Sequence, residues 1–191
     1  HYWLLIAGFF VCGFQLAFIT VHMPSYLSDN GFDSSVAAAS LSIIGLCNII
    51  GSLAAGHLSG LYSKKWILAF IYGARSIVIV LFLIIPITTF TVYAFSFATG
   101  LLWLATVPPT SGLVAQMFGL RYMGTLYGVV FLNHQIGSFS GVWLGGYLFD
   151  TTGSYDQVWW WAAIIAAITA IIHVFIDERP VERLRLAEKV I

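Results

Sequence analysis

Charge is what this sequence has least of. Among 191 residues there are eight Lys and Arg and eight Asp and Glu, 8% of the chain. A soluble domain carries roughly three times that share. With 60% apolar residues and a mean hydropathy of +0.92, a chain this short could not hide its apolar surface from water. A soluble enzyme and a disordered chain are thereby excluded. So is a nucleic-acid binder, which needs a basic face. Cysteine is scarce as well. Cys12 and Cys47 make no metal or disulfide spacing and read as small apolar packing residues. What remains is a polytopic membrane protein. The first apolar run lacks a basic leader and is too long for a signal peptide. Because the sequence starts at His1 rather than Met, it reads as a fragment or processed product with helices missing upstream.

Six long stretches separate at charged or turn-forming residues: 2–27, 35–59, 66–86, 89–113, 123–149 and 157–176. Each holds at least the ~20 residues that a helix needs to cross a bilayer core. Helices satisfy their own backbone in lipid, and the short alternating strands of a barrel are not seen. The expected fold is an all-α membrane protein: one bundle of six transmembrane helices over 1–191, with a short tail over 177–191.

Placement of the few charges orients the bundle. The connections 28–34 and 150–156 carry Asp29, Asp33, Asp150 and Asp156 and no base. Lys64, Lys65 and Arg121 lie in the alternate connections, and Arg179, Arg183, Arg185 and Lys189 lie in the tail. Those connections and both termini are therefore expected in the cytoplasm, as in a bacterial cytoplasmic (inner) membrane. The tail bases read as the cytoplasmic anchor, with a contact to anionic lipid as a weaker extra.

A shift of 90 residues aligns Gly51 with Gly141, Gly56 with Gly146 and Leu58 with Leu148. Three helices fit in that shift, so the second unit would sit inverted, the construction of many secondary transporters. Small residues recur every fourth place at Ser52, Gly56 and Gly60 and at Gly137, Gly141 and Gly145. They read as faces for close helix packing.

The segment GHLSGLYSKK at 56–65 resembles the loop signature G-x-L-x-D-x-x-[GS]-[RK]-[RK] of the major facilitator superfamily. Gly56, Leu58, Ser63, Lys64 and Lys65 match; Gly60 stands where the pattern has Asp. That departure speaks against a charge-relay role for this loop. FGLRYMGTLYG and NHQIGSFSGVWLGG resemble the bacterial monocarboxylate-transporter-like members. The resemblance implies that the chain is the C-terminal six-helix half of a twelve-helix transporter. Its first, second, fourth and fifth spans would line a central cavity. Its partner would be the missing N-terminal half or a second copy. Gly56, Lys64, Lys65, Arg75 and Asp150 are expected in gating or structural roles.

Polar groups at bilayer depth are the natural functional candidates, because leaving them unpaired in hydrocarbon is costly. Gln15, Phe18 and His22 share one helix face in the first span. His22 serves either as a proton or substrate contact or as a neutral histidine bonded to a carbonyl. Asn133 and His134 are central in the fifth span and serve either the cavity or interhelical hydrogen bonding. Trp103 and Thr106 cluster with Pro108 and Pro109, which must break or kink the fourth span and free backbone carbonyls. Asn48 is a weaker candidate of the same kind.

Arg75 is the one charge inside a span. It lies roughly 13 Å along the helix from Trp66, too deep to reach water comfortably, so it needs an acid, carbonyls or water as partner. The run Trp159-Trp160-Trp161 reads as an aromatic anchor at the membrane surface. No Ser-His-Asp set, carboxylate pair or metal cluster occurs within the spans, and no P-loop motif appears. No cofactor or metal is expected, and neither an enzyme nor a nucleotide-driven pump. The leading function is secondary transport of a small solute, an organic anion with a proton (a symporter) if the finer resemblance holds. Efflux of a drug or amphiphile, and a non-transporting scaffold or assembly module on the same fold, are the alternatives.

Overall fold

The computed structural model describes residues 1–182; the predicted tail bases Arg183, Arg185 and Lys189 lie outside the described residues. Seven helical segments follow one another: α1 (Tyr2–Asp29), α2 (Ser34–Leu61), α3 (Lys64–Ile84), α4 (Thr89–Leu102), α5 (Val107–Phe118), α6 (Met123–Thr152) and α7 (Asp156–Val174). Five stretches are long and apolar enough to cross a membrane: α1, α2, α3, α7 and the run Thr89–Phe118 that joins α4 to α5. At 30 residues α6 is long enough, yet it is not among the five. Six glycines together with Asn133, His134 and Gln135 lower its hydropathy.

Short connections hold the bundle antiparallel. Asp33 caps α2 by accepting the Ser35 N–H at 2.8 Å. The Ser35 hydroxyl and N–H hold the Asp33 carboxyl below the usual carboxylate range. Thr88 and Thr91 form a reciprocal capping box that starts α4. Gly31, Gly119 and Gly153 close helices with positive φ, where a side chain would strain the backbone.

Packing is dominated by three pairs: α1 with α6, α2 with α4, and α3 with α7. The first two rest on glycine. A Cβ on Gly13, Gly137 or Gly141 would collide with the carbonyls of His134, Phe10 and Phe14. On Gly51 it would strike the Leu101 carbonyl. These helices therefore touch backbone to backbone, as small-residue faces allow in membranes. At one end of the bundle Phe18, Phe82 and Phe95 surround the fully buried Trp159. At the other, Leu5, Phe9, Leu68, Tyr72 and Leu113 form a second core. Trp159 sits inside the bundle, whereas Trp160 and Trp161 are exposed, so only two of the three fit the anchor reading.

Both described chain ends meet. His1 Nδ1 lies 3.1 Å from the Phe175 carbonyl and from the Asp177 N–H. Nearby, the Glu178 carboxylate accepts the Lys65 backbone N–H at 2.6 Å, at the start of α3. Arg179 donates to Asp177, and that hydrogen bond holds the Asp177 carboxyl below its ordinary range.

Candidate functional site: an interrupted span

The prolines of the fourth span do not sit where the chain breaks. Helix α4 ends at Leu102 and α5 starts at Val107, with Pro108 in its first turn. There a missing N–H costs nothing, because no intrahelical acceptor waits for it. The interruption is therefore at 103–106, inside the stretch that the sequence assigns to one helix over 89–113. At this depth each freed polar group of the backbone needs a partner from the protein.

Two neighbouring helices supply those partners, and a third braces them. Arg75 of α3, 5% exposed, donates through Nε and Nη2 to the Leu102 carbonyl at 3.2 and 2.6 Å. Nη2 also donates to the Trp103 carbonyl. No backbone N–H among the described residues reaches either carbonyl. Arg75 thus binds the negative end of the α4 dipole, and the guanidinium fork spans two acceptors at once. Asn48 of α2 serves the opposite polarity: its Oδ1 accepts the Leu104 N–H at 2.9 Å and the Ser52 hydroxyl at 3.1 Å. From α1, the Cys12 thiol lies 3.2 Å from the Thr106 hydroxyl. Gln15 of α1 completes the group, with Oε1 3.4 Å from Arg75 Nη1 and Nε2 donating to the Ala162 carbonyl at 2.9 Å.

So five of the residues singled out in the sequence meet around one feature: Gln15, Asn48, Arg75, Trp103 and Thr106. Arg75 finds its partners in carbonyls, not in an acid. Beside them a narrow cleft, with about 10 Å³ of enclosed space, opens between α1, α3 and α4. Gln15, Leu16, Ile19, Arg75, Ile79, Thr99 and Trp103 line it.

The remaining candidates lie elsewhere. Phe18 is core, packed edge-on to Trp159 at 4.9 Å. His22 sits over Gly145, its Nε2 2.9 Å from the Val142 carbonyl. Asn133 donates to the Ile6 carbonyl at 2.8 Å. His134 is buried between Phe9 and Phe131, with Nδ1 3.3 Å from Gln135 Oε1. His22 and Asn133 thus fasten α1 to α6. Gly56 is exposed, with Pro108 the nearest group to an added Cβ at 3.8 Å. Lys64 donates to Gln116 at 2.8 Å and the Lys65 ammonium to the Val174 carbonyl at 3.3 Å. Asp150 is exposed near the end of α6.

Some partnerships have no sequence signature. The Tyr72 hydroxyl donates to the Gly8 carbonyl at 2.7 Å and its ring stacks on His173 at 5.0 Å. His173 in turn binds the Thr169 carbonyl at 2.8 Å. Thr99 and Cys12 joined the site only through the fold. A polar residue one turn from a helix break is the nearest thing to a signal for Thr99, and Cys12 has none.

Residues 3–190 match the profile of the Major Facilitator Superfamily. The chain belongs to this family. It is 26% identical over 183 residues to an "Uncharacterized MFS-type transporter YcxA" of Bacillus subtilis (strain 168), covering 92% of this chain and 44% of the relative. A similar fold occurs in a crystal structure of the superfamily transporter FucP in the outward conformation. The TM-score is 0.70 at 20% identity, over 91% of this chain and 41% of that one. The chain therefore spans less than half the length of these relatives. Family and apolar helices together make it an integral membrane protein.

Proposed function

We propose that the chain forms one six-helix unit of a secondary transporter that moves a small solute by alternating access. The supporting observation is the interrupted span: a superfamily bundle keeps a broken helix, a buried arginine and a cleft together at mid-depth. Irregular backbone at that depth belongs where protein or a cavity surrounds it. In this reading α6 crosses as the sixth span. The bases lie on the cytoplasmic side together with both termini, and a second six-helix unit supplies the facing wall.

The finer reading is a small organic anion carried with a proton. It rests on Arg75 as the single charge within the spans and on the histidines of α1 and α6. Two inverted three-helix repeats fit the packing as well. A 90-residue shift turns the pair α1–α6 into α4–α2 and maps α3–α7 onto itself. The aligned glycines Gly51 and Gly141 each press against a carbonyl of the neighbouring helix, Leu101 and Phe14.

The test is uptake into proteoliposomes holding the full native protein, under imposed proton and solute gradients. Gradient-dependent uptake of small carboxylates is expected. Absence of uptake across such a panel would remove the anion reading. Uptake of neutral amphiphiles instead would put efflux in its place.

A further inference from the structure

Arg75 has more donors than its known partners use. A guanidinium carries five N–H groups and cannot be deprotonated in a protein. Nε and both hydrogens of Nη2 are taken up by the Leu102 and Trp103 carbonyls. Nη1 has two hydrogens and one distant contact, Gln15 Oε1 at 3.4 Å. Among the described residues no carboxylate pairs with the charge, and the guanidinium carbon lies 5.5 Å over the Tyr72 ring. The ion pair among the described residues joins Arg179 to Asp177, far along the chain, and no Asp or Glu lies on α3 or α4.

The wall of the cleft beside Nη1 offers more donors than acceptors. Thr99 is 5% exposed, lines the cleft, and its hydroxyl makes no hydrogen bond among the described residues. The polar side-chain atom of Trp103 is a donor only. The Gln15 amide nitrogen donates to the Ala162 carbonyl, and its Oε1 is turned to Arg75 Nη1. Leu16, Ile19 and Ile79 complete an otherwise apolar wall. The enclosed part has room for little more than one water-sized group. A full positive charge, spare donors and apolar walls in so small a space suit a single acceptor that brings a negative charge.

We infer that this cleft is a binding site for one compact monoanion, held by Arg75 Nη1 and the Thr99 hydroxyl. A halide ion and the carboxylate head of a small solute share this chemistry. Either one completes the charge balance of Arg75 while Nε and Nη2 keep their hold on the interrupted span. The anion therefore ties its own occupancy to the join between α4 and α5.

The inference deepens the anion reading of the proposed function and rests on it, but its test has a separate readout. The unfolding midpoint of the full native protein in detergent is followed against sodium bromide, sodium acetate and acetamide, with ionic strength held constant by a bulky sulfonate. A saturable rise with bromide or acetate and none with acetamide is expected. Saturation by acetate alone identifies a carboxylate head; saturation by both identifies any compact monoanion. Thr99→Val keeps the shape and removes one hydrogen bond to a charged group, which should raise the half-saturating concentration roughly tenfold or more. No saturable rise, or an unchanged half-saturation in Thr99→Val, overturns the site. Uptake that persists without anion protection would sink the site and spare the transport reading; anion protection without uptake would do the reverse.

Discussion

Two regions of this bundle spend polar side chains on backbone groups, with opposite consequences. Along the α1–α6 seam, His22 and Asn133 bind the carbonyls of Val142 and Ile6, both inside long unbroken helices. Those carbonyls already take part in helical hydrogen bonds, so the side chains fill a second lone pair. Around the interruption of the fourth span, Arg75 and Asn48 bind Leu102, Trp103 and Leu104, groups that have left the helix. There the backbone depends on the side chain. The seam is held by glycine and shape, whereas the break is held by hydrogen bonds and one charge.

Substitutions can break or sharpen that contrast. The largest effect is expected from Arg75→Leu. It orphans two buried carbonyls at about 1–3 kcal/mol each, and thermal unfolding in detergent should show a loss on the order of 4 kcal/mol. Arg75→Lys keeps the charge but not the fork, so it should fall between. Next comes Gly141→Ala, whose methyl meets the Phe14 carbonyl. Overpacking of this kind costs roughly 1–3 kcal/mol, and here uptake per folded molecule should stay near that of the parent. Asn48→Leu follows, at about 1–2 kcal/mol for the stranded Leu104 N–H, with uptake falling more than stability. Smallest is Asn133→Leu at roughly 0.5–1 kcal/mol, since the Ile6 carbonyl keeps its helical partner. If Asn133→Leu proves as damaging as Arg75→Leu, the division between the two regions is wrong.

Much of this architecture could be read from residue order. Long apolar runs and the absence of charge within them marked helices and a membrane. The loop motif GHLSGLYSKK pointed to the superfamily, and residues 3–190 match its profile. The site was legible only in part. Pro108 and Pro109 announce an interruption, and it falls in the turn before them, because proline is comfortable in the first turn of the helix that follows. Arg75 announced a partner without naming it, since backbone carbonyls have no letter of their own. His22 and Asn133 were of the right chemical type, but only packing decides whether such a group faces a neighbouring helix or open space. Thr99 resembles any other helical threonine until α1 and α3 are placed against it.

The reduced hydropathy of α6 carries a consequence for biosynthesis. A segment with six glycines and a central Asn-His-Gln run partitions weakly into lipid when it emerges from the ribosome alone. Its complement, the glycine-seated face of α1, has by then been made for more than a hundred residues. We expect α6 to enter the bilayer by docking onto α1 rather than by its own apolarity. An insertion assay in which α1 is replaced by an unrelated apolar helix should therefore leave α6 outside the membrane.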